Sequence, residues 1–305
     1  MTPSTNWCAA IRSGQPVCAV PCGFSRGSRC SPMAPVSFLS MPERYNRRAF
    51  IGASLAMTST FAMPSRGEHA VPLRAQEQLN AIAFDAFTLF DPRPVEALAE
   101  QLFRGNGTQL VAAWRTRQFE YTWLRTLTRT YVDFWHVTED ALRFAAESLK
   151  LDLTPTRCNR LMQAWLDIKT WSDVLPALAS MKQQGLRLAI LANPTTAMLN
   201  AWIANSQLDG VFEPHLSTDR VRAFKPDPRA YQMGVDAFAT DRRNILFAAF
   251  GNWDVAGAKA FGYPVFWVNR AGAPAEELGF SADGIGNTLT DLASFVAGRR
   301  GTLAQ

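Results

Sequence analysis

Ala81-Ile82-Ala83-Phe84 is a short apolar run that ends on an acid, Asp85, the pattern expected of a strand buried on both faces of a parallel sheet. The same form recurs over Leu186–Leu191 before Ala192-Asn193, over Ile245–Phe250 and over Val265–Val268, with a shorter strand leading into Leu216-Ser217. Between these runs the apolar spacing becomes helical. Ser172 opens a helix that Gly185 closes, and further helices are predicted near Ala197–Ala204, over Pro228–Phe238 and over Asp254–Phe261, with Gly262 as a stop. Strands alternating with helices predict an α/β fold, a doubly wound parallel sheet. The stretch after the first strand breaks the alternation. Thr108 opens a long amphipathic segment through Tyr131, Thr138 is read as the cap of Glu139–Leu149, and Pro155 starts a helix that carries Leu161, Trp165 and Ile168. The expected organisation is a Rossmann-like core from residues 79–91 and 172–300, interrupted by a helical cap domain over residues 92–171.

The segment ahead of the first strand has a different character. Residues 1–75 hold eight Arg against Glu43 and Glu68, a balance of +6, so the net charge of +5 leaves 5 − 6 = −1 for the rest. A near-neutral body without a basic stripe argues against nucleic acid as a partner. Four of the five cysteines lie in the first 30 residues and only Cys158 follows them, which leaves the body no internal disulfide. Residues 1–45 are rich in Ser, Pro, Gly and Cys without periodicity. Arg47-Arg48 then precedes Phe50, the modestly apolar Gly52–Ala62 and Pro64. Paired arginines before a short apolar region resemble a twin-arginine export signal, so residues 1–75 are expected to be a signal and unstructured leader. The expected destination is the periplasm, with the cytoplasm as the alternative. No apolar run approaches the ~18 residues of a membrane span, so no membrane partner is expected for the mature form.

Ligands of doubly wound sheets bind beyond the carboxyl ends of the strands. The residues the pattern places there are Asp85, Asn193, Lys225 and the Gly251–Asp254 group. Taken singly, Asp85 also fits a cap, Lys225 a surface charge, and Asp254 the N-cap of its own helix. Taken together, a carboxylate, an ammonium and a second carboxylate at one sheet edge suit nucleophilic catalysis with an activated water.

The residues around these groups resemble the haloacid dehalogenase superfamily, and within it the type II (S)-2-haloacid dehalogenases. The first motif is Phe84-Asp85-Ala86-Phe87-Thr88-Leu89-Phe90-Asp91. Cap segments with Trp114-Arg115, with Phe119 through Arg125 and with Thr138 through Phe144 follow it. Leu188 through Asn193, Lys225-Pro226-Asp227 with Tyr231, and Trp253-Asp254 with Gly257-Ala258 complete the set, and the similarity runs over about residues 79–295 in order. The phosphatases of that superfamily carry acids where this chain has Phe87 and, near the last motif, Phe250. A hard divalent cation takes oxygen ligands, so no metal and no cofactor are expected. Three departures from the dehalogenase pattern stand out. The first loop lacks the Gly before Thr88, Ala192 replaces the Ser before Asn193, and Ala249-Phe250-Gly251-Asn252 stands where the type has Ser-Ser-Asn and a small residue.

The resemblance implies hydrolysis of a short 2-haloalkanoic acid to the 2-hydroxy acid, with water as co-substrate and inversion at C2. Asp85 would be the nucleophile that forms an ester, Lys225 its ion-pair partner, and Asp254 the group that positions or deprotonates the water. Arg115 would hold the halide or the substrate carboxylate, a task that suits a planar guanidinium. Thr88 and Asn193 would supply hydrogen bonds, and Tyr231 would brace the Lys225 neighbourhood. Phe87, Phe119, Phe134 and Trp253 would form a small apolar pocket, with Asn252 beside it. Two other readings remain open here: a metal-dependent phosphatase of the same fold, and a catalytically weak relative acting as a binding protein. An apolar cap face is also compatible with a homodimer.

Overall fold

The computed structural model describes residues 79–301; the twin-arginine segment expected over residues 47–62 lies outside them. Among the described residues no helix is long and apolar enough to cross a membrane. The strands are β1 (Ala81–Phe84), β2 (Arg187–Ala192), β3 (His215–Ser217), β4 (Ile245–Ala249), β5 (Val265–Val268) and β6 (Gly284–Gly286). They form one sheet in the order β3-β2-β1-β4-β5-β6, and every pairing is parallel. The chain leaves β1 toward β2 and β3, then returns to β4 on the other side of β1. The order therefore reverses between β1 and β4, where a ligand crevice is expected.

Alternation along the strands explains why so many small runs are wholly apolar. Ile82, Phe84, Leu188, Ile190, Leu246 and Ala248 belong to one core, whereas Ala81, Ala83, Ala189, Leu191, Ile245 and Phe247 belong to the other. Both sheet faces are covered, as successive side chains point to opposite sides. The short helix α1 (Ala86–Leu89) follows β1 directly. Next come α2 (Arg93–Leu102), α3 (Gly107–Leu127), α4 (Phe134–Ser148) and α5 (Pro155–Leu166), a helical group between β1 and β2. The core helices are α6 (Val174–Gln183), α7 (Thr196–Asn205), α8 (Pro228–Phe238), α9 (Asn252–Phe261) and α10 (Leu289–Gly301). Gly262 ends α9 with φ +102°, a left-handed value that suits glycine.

Several predicted boundaries move, each for a local reason. α4 starts at Phe134 rather than at Glu139, because Asp133 caps it by accepting from the His136 N–H at 2.9 Å. Thr138 is thus inside the helix. Its hydroxyl returns to the Phe134 carbonyl at 2.6 Å, which frees the side chain from any capping role. α6 begins at Val174, so Ser172 does not cap it. α9 begins at Asn252 with Gly251 as its N-cap, which places Asp254 in the first turn. The strand β6 and the helix α10 carry no signal in the apolar pattern read above. β6 is the three-residue edge Gly-Ile-Gly. Added Cβ atoms at Gly284 would meet Phe295 and Phe266 at 2.6 and 2.8 Å, so glycine there reflects close packing under α10.

The helical group is tied to the core near the sheet's carboxyl edge. Trp171 Nε1 donates to the Phe87 carbonyl at 3.2 Å, the Phe224 N–H donates to Thr126 Oγ1 at 3.1 Å, and the Tyr131 hydroxyl donates to Asp219.

Candidate active site

Asp85 follows β1 at its carboxyl end, directly after Phe84, which is in register with Ala248 of β4, and the Asp85 N–H donates to the Ala248 carbonyl at 2.9 Å. It is also the N-cap of α1: Oδ1 accepts from the Phe87 N–H at 2.9 Å. That capping hydrogen bond orients the carboxylate. The other oxygen, Oδ2, accepts from Lys225 Nζ at 2.6 Å.

Lys225 is wholly buried and bridges two acids. Its Nζ also donates to Asp254 Oδ2 at 2.5 Å, and its backbone N–H donates to Asn193 Oδ1 at 3.0 Å. Burial alone works against the ammonium, but the charges of Asp254 and Asp85 and the hydrogen bonds to both raise its pKa above the ordinary lysine value. Tyr231, on α8, donates its hydroxyl to Asp254 Oδ1 at 2.6 Å. Burial together with the Asp254 charge pushes that phenol well above 10, so it stays a donor. Asp254 itself is fully enclosed, and burial pushes it up to about 6 against the pull of Lys225. The close approach of α9 that makes this possible depends on Gly257. A Cβ there would collide with the Tyr231 hydroxyl and lie 2.6 Å from Pro226.

Above Asp85 is a cavity of about 20 Å³ lined by Phe87, Phe119, Phe134, Asn193, Pro194, Phe250, Gly251 and Trp253. Arg115 reaches this region from α3. Its guanidinium carbon lies 4.5 Å from the ring centre of Phe87, 4.9 Å from Phe119 and 5.2 Å from Trp165. Nη1 donates to Gln118 Oε1 at 2.7 Å. Burial among these rings lowers the guanidinium to about 10, opposed by the charge of Asp85, which leaves it a cation at neutral pH. Cations over aromatic faces are favoured electrostatically.

The structure thus places Asp85, Asn193, Phe87, Phe119, Phe134 and Trp253 on the cavity wall, with Lys225, Asp254 and Tyr231 joined to Asp85 in the bridge behind it and Arg115 against the Phe87 and Phe119 rings. It places two predicted residues elsewhere. The Thr88 hydroxyl donates to the Asp85 main-chain carbonyl at 2.7 Å and does not line the cavity. α1 starts immediately after Asp85, and Thr88, its third residue, turns its hydroxyl back to the cap. Asn252 is the first residue of α9. Its Oδ1 accepts from the Glu276 N–H at 2.6 Å, away from the cavity. Gln118 is the residue that the sequence reading missed. It is buried, donates to Thr138 Oγ1 at 2.6 Å and accepts from Arg115, so it fixes the guanidinium through a second hydrogen bond. Its spacing of three from Arg115 on one helix was the available signal. Phe250, Gly251 and Pro194 are further cavity residues.

Among the described residues no three His, Cys, Asp or Glu side chains cluster as metal ligands. Phe87 and Phe250 present rings with centres 5.9 Å apart rather than oxygen donors.

Comparison with known proteins now adds to this geometry. A haloacid dehalogenase-like hydrolase profile matches residues 61–262. The chain is 41% identical over 208 residues to haloacetate dehalogenase H-2 of Moraxella sp. (strain B), a match covering 68% of this chain and 93% of that protein. It is 40% identical over 208 residues to the (S)-2-haloacid dehalogenase of Pseudomonas sp. (strain YL), covering 68% of this chain and 90% of that protein. The structure of L-2-haloacid dehalogenase from Xanthobacter autotrophicus with chloropropionic acid covalently bound is 31% identical, with a TM-score of 0.67, and the match covers 72% of this chain and 99% of that one.

Proposed function

This chain belongs to the haloacid dehalogenase-like hydrolases, and from that premise we propose that it hydrolyses short (S)-2-haloalkanoic acids to (R)-2-hydroxyalkanoic acids through an ester on Asp85. The observation that carries the reading is the buried Asp85–Lys225–Asp254 bridge beneath a small aromatic cavity. A carboxylate oxygen of Asp85 attacks C2 from the face opposite the halogen. The new C–O bond forms as the C–halogen bond breaks, and the halogen leaves as halide beside Arg115. Asn193 Oδ1 is taken by the Lys225 N–H, which leaves its amide NH₂ for the substrate carboxylate. Water then adds to the Asp85 carboxyl carbon and gives one proton to Asp254; the bond from that carbon to the ester oxygen breaks, and the second proton of the water passes to the departing oxygen. The 2-hydroxy acid keeps the attacking oxygen of Asp85, and the carboxylate is restored with an oxygen from water. Lys225 faces both acids, so it balances charge on the nucleophile and on the base.

The relatives named above support the substrate class, and Phe87 and Phe250 in place of oxygen ligands disfavour the phosphatase alternative. The enclosed bridge disfavours the inactive one, because a buried ion pair without a task contributes little to stability. Incubating the protein with (S)-2-chloropropionate and EDTA is expected to release chloride and (R)-lactate in equal amounts. Phosphate release from a phosphomonoester that EDTA stops and magnesium restores would establish the phosphatase instead, and no halide release from any short 2-haloacid would leave the binding-protein reading.

We also propose export through the twin-arginine route, supported by Arg47-Arg48 ahead of the apolar Gly52–Ala62. Changing both arginines to lysine is expected to hold the protein in the cytoplasm. Unaltered periplasmic recovery of that variant would remove the proposal.

A further inference from the structure

Trp253 belongs to two spaces at once. On one side it lines the cavity of about 20 Å³ over Asp85, where the free volume is close to that of one water. On the other it lines an apolar groove of about 480 Å³ formed with Trp123, Pro226, Ala256, Phe261 and Leu278. The indole is held as a partition. Its ring centre lies 5.2 Å from Phe119 and 5.7 Å from Trp123. Its pyrrole edge rests on Gly251, where a Cβ would come within 2.6 Å of Nε1 and 3.0 Å of Cδ1. Glycine at 251 is therefore what lets the indole lie flat between the two spaces. A long substituent on substrate C2 has no room beside Asp85, whereas the space behind Trp253 is large and apolar.

We infer that Trp253 sets the chain-length limit of the dehalogenation proposed above, by separating the Asp85 cavity from a groove able to hold the alkyl chain of a longer 2-haloalkanoate. The inference rests on that functional reading. With the indole in place the favoured substrates are haloacetates and 2-halopropionates. With it removed, the chain of a 2-halooctanoate passes into the groove, and each methylene taken from water there is worth about fourfold in binding.

The test compares bromide release from 2-bromooctanoate with that from bromoacetate, so that the leaving group is constant. Trp253→Ala is expected to raise the ratio of the two kcat/KM values by at least about tenfold, and Trp253→Phe to raise it by less. Ala260 is exposed and lines the groove. Adding Ala260→Trp to the Trp253→Ala variant should refill the groove and cancel the gain. An unchanged ratio in both single variants, or a gain that persists with Ala260→Trp, would overturn the assignment. Calorimetric titration with octanoate and acetate reads the same preference without turnover: tighter octanoate binding in Trp253→Ala, reversed by Ala260→Trp, is expected, and its absence also counts against the gate. Loss of bromide release from both bromoacids in the unaltered protein would instead refute the dehalogenase reading, whatever the titration shows.

Discussion

Asp254→Asn mixed with (S)-2-chloropropionate and quenched in acid is expected to carry a lactyl-sized mass increment that peptide mapping locates on Asp85. The reasoning follows from the two ends of the bridge. Asp85 opens onto the cavity, while Asp254 is enclosed behind Lys225 and Tyr231. The displacement at C2 requires only the first, and the addition of water requires a proton acceptor. Removing a general base slows its step by about 10²–10⁴-fold, so the ester formed in the first step should persist. Halide should appear in a burst of about one equivalent. In the unaltered protein the hydrolytic step should weaken as pH falls through about 6, where burial places the protonation of Asp254, and Asp254→Asn should lack that limb. Asp85→Ala should lose both the adduct and the halide, because among the described residues no second carboxylate lines the cavity and the barrier rises by several kcal/mol. Halide release by Asp254→Asn without an adduct at any time would exclude the ester, and activity in Asp85→Ala would refute the assignment of the nucleophile.

The parts of this site that the amino-acid pattern revealed are those whose signals are local. Asp85 is legible because a four-residue apolar run can only be a buried strand at that length, and an acid at its end falls on the sheet's carboxyl edge. Asp254 is legible as the acid just beyond another such run, and Lys225 by its place in a proline-bounded loop. What the pattern hides depends on register and on distance. The Thr88 hydroxyl donates to the Asp85 carbonyl three residues back, a local turn that the loop's residue types do not announce. A helix start two residues earlier than expected sends Asn252 toward Glu276. Phe134 and Trp135 carry no capping chemistry themselves, and their aromatic character conceals the Asp133 cap that starts α4. Gln118 acts only through partners on another helix, Thr138 being 20 residues away, so no local spacing identifies the full relay. Gly251 and Gly257 look like ordinary small residues until the Trp253 and Tyr231 rings that lie against them are located.

Lys225→Met should produce the largest combined loss of stability and activity. The lysine is the sole cation in contact with both enclosed carboxylates among the described salt bridges. Methionine matches the length of its stem but leaves two negative charges facing a low-dielectric interior. Breaking a buried pair from one side costs about 3–5 kcal/mol. The direction with pH follows from the same groups. Without the ammonium, burial and the neighbouring Asp85 charge raise the Asp254 carboxyl further above its unfolded value. The destabilisation is therefore full at neutral pH and shrinks as pH falls through the raised value and Asp254 takes up a proton. Chemical denaturation at pH 7.5 and at pH 5 should show this narrowing. Turnover should fall by about 10²–10³-fold at either pH, since the ammonium that orients Asp85 and balances charge in both steps is gone. Lys225→Arg should not restore activity, because the planar fork is too broad for a site in which one nitrogen contacts Asp85 at 2.6 Å and Asp254 at 2.5 Å with no exposed surface. A Lys225→Met protein as stable and as active as the parent at neutral pH would show that the ammonium does not hold the two acids together, and the charge balance proposed for both chemical steps would fall with it.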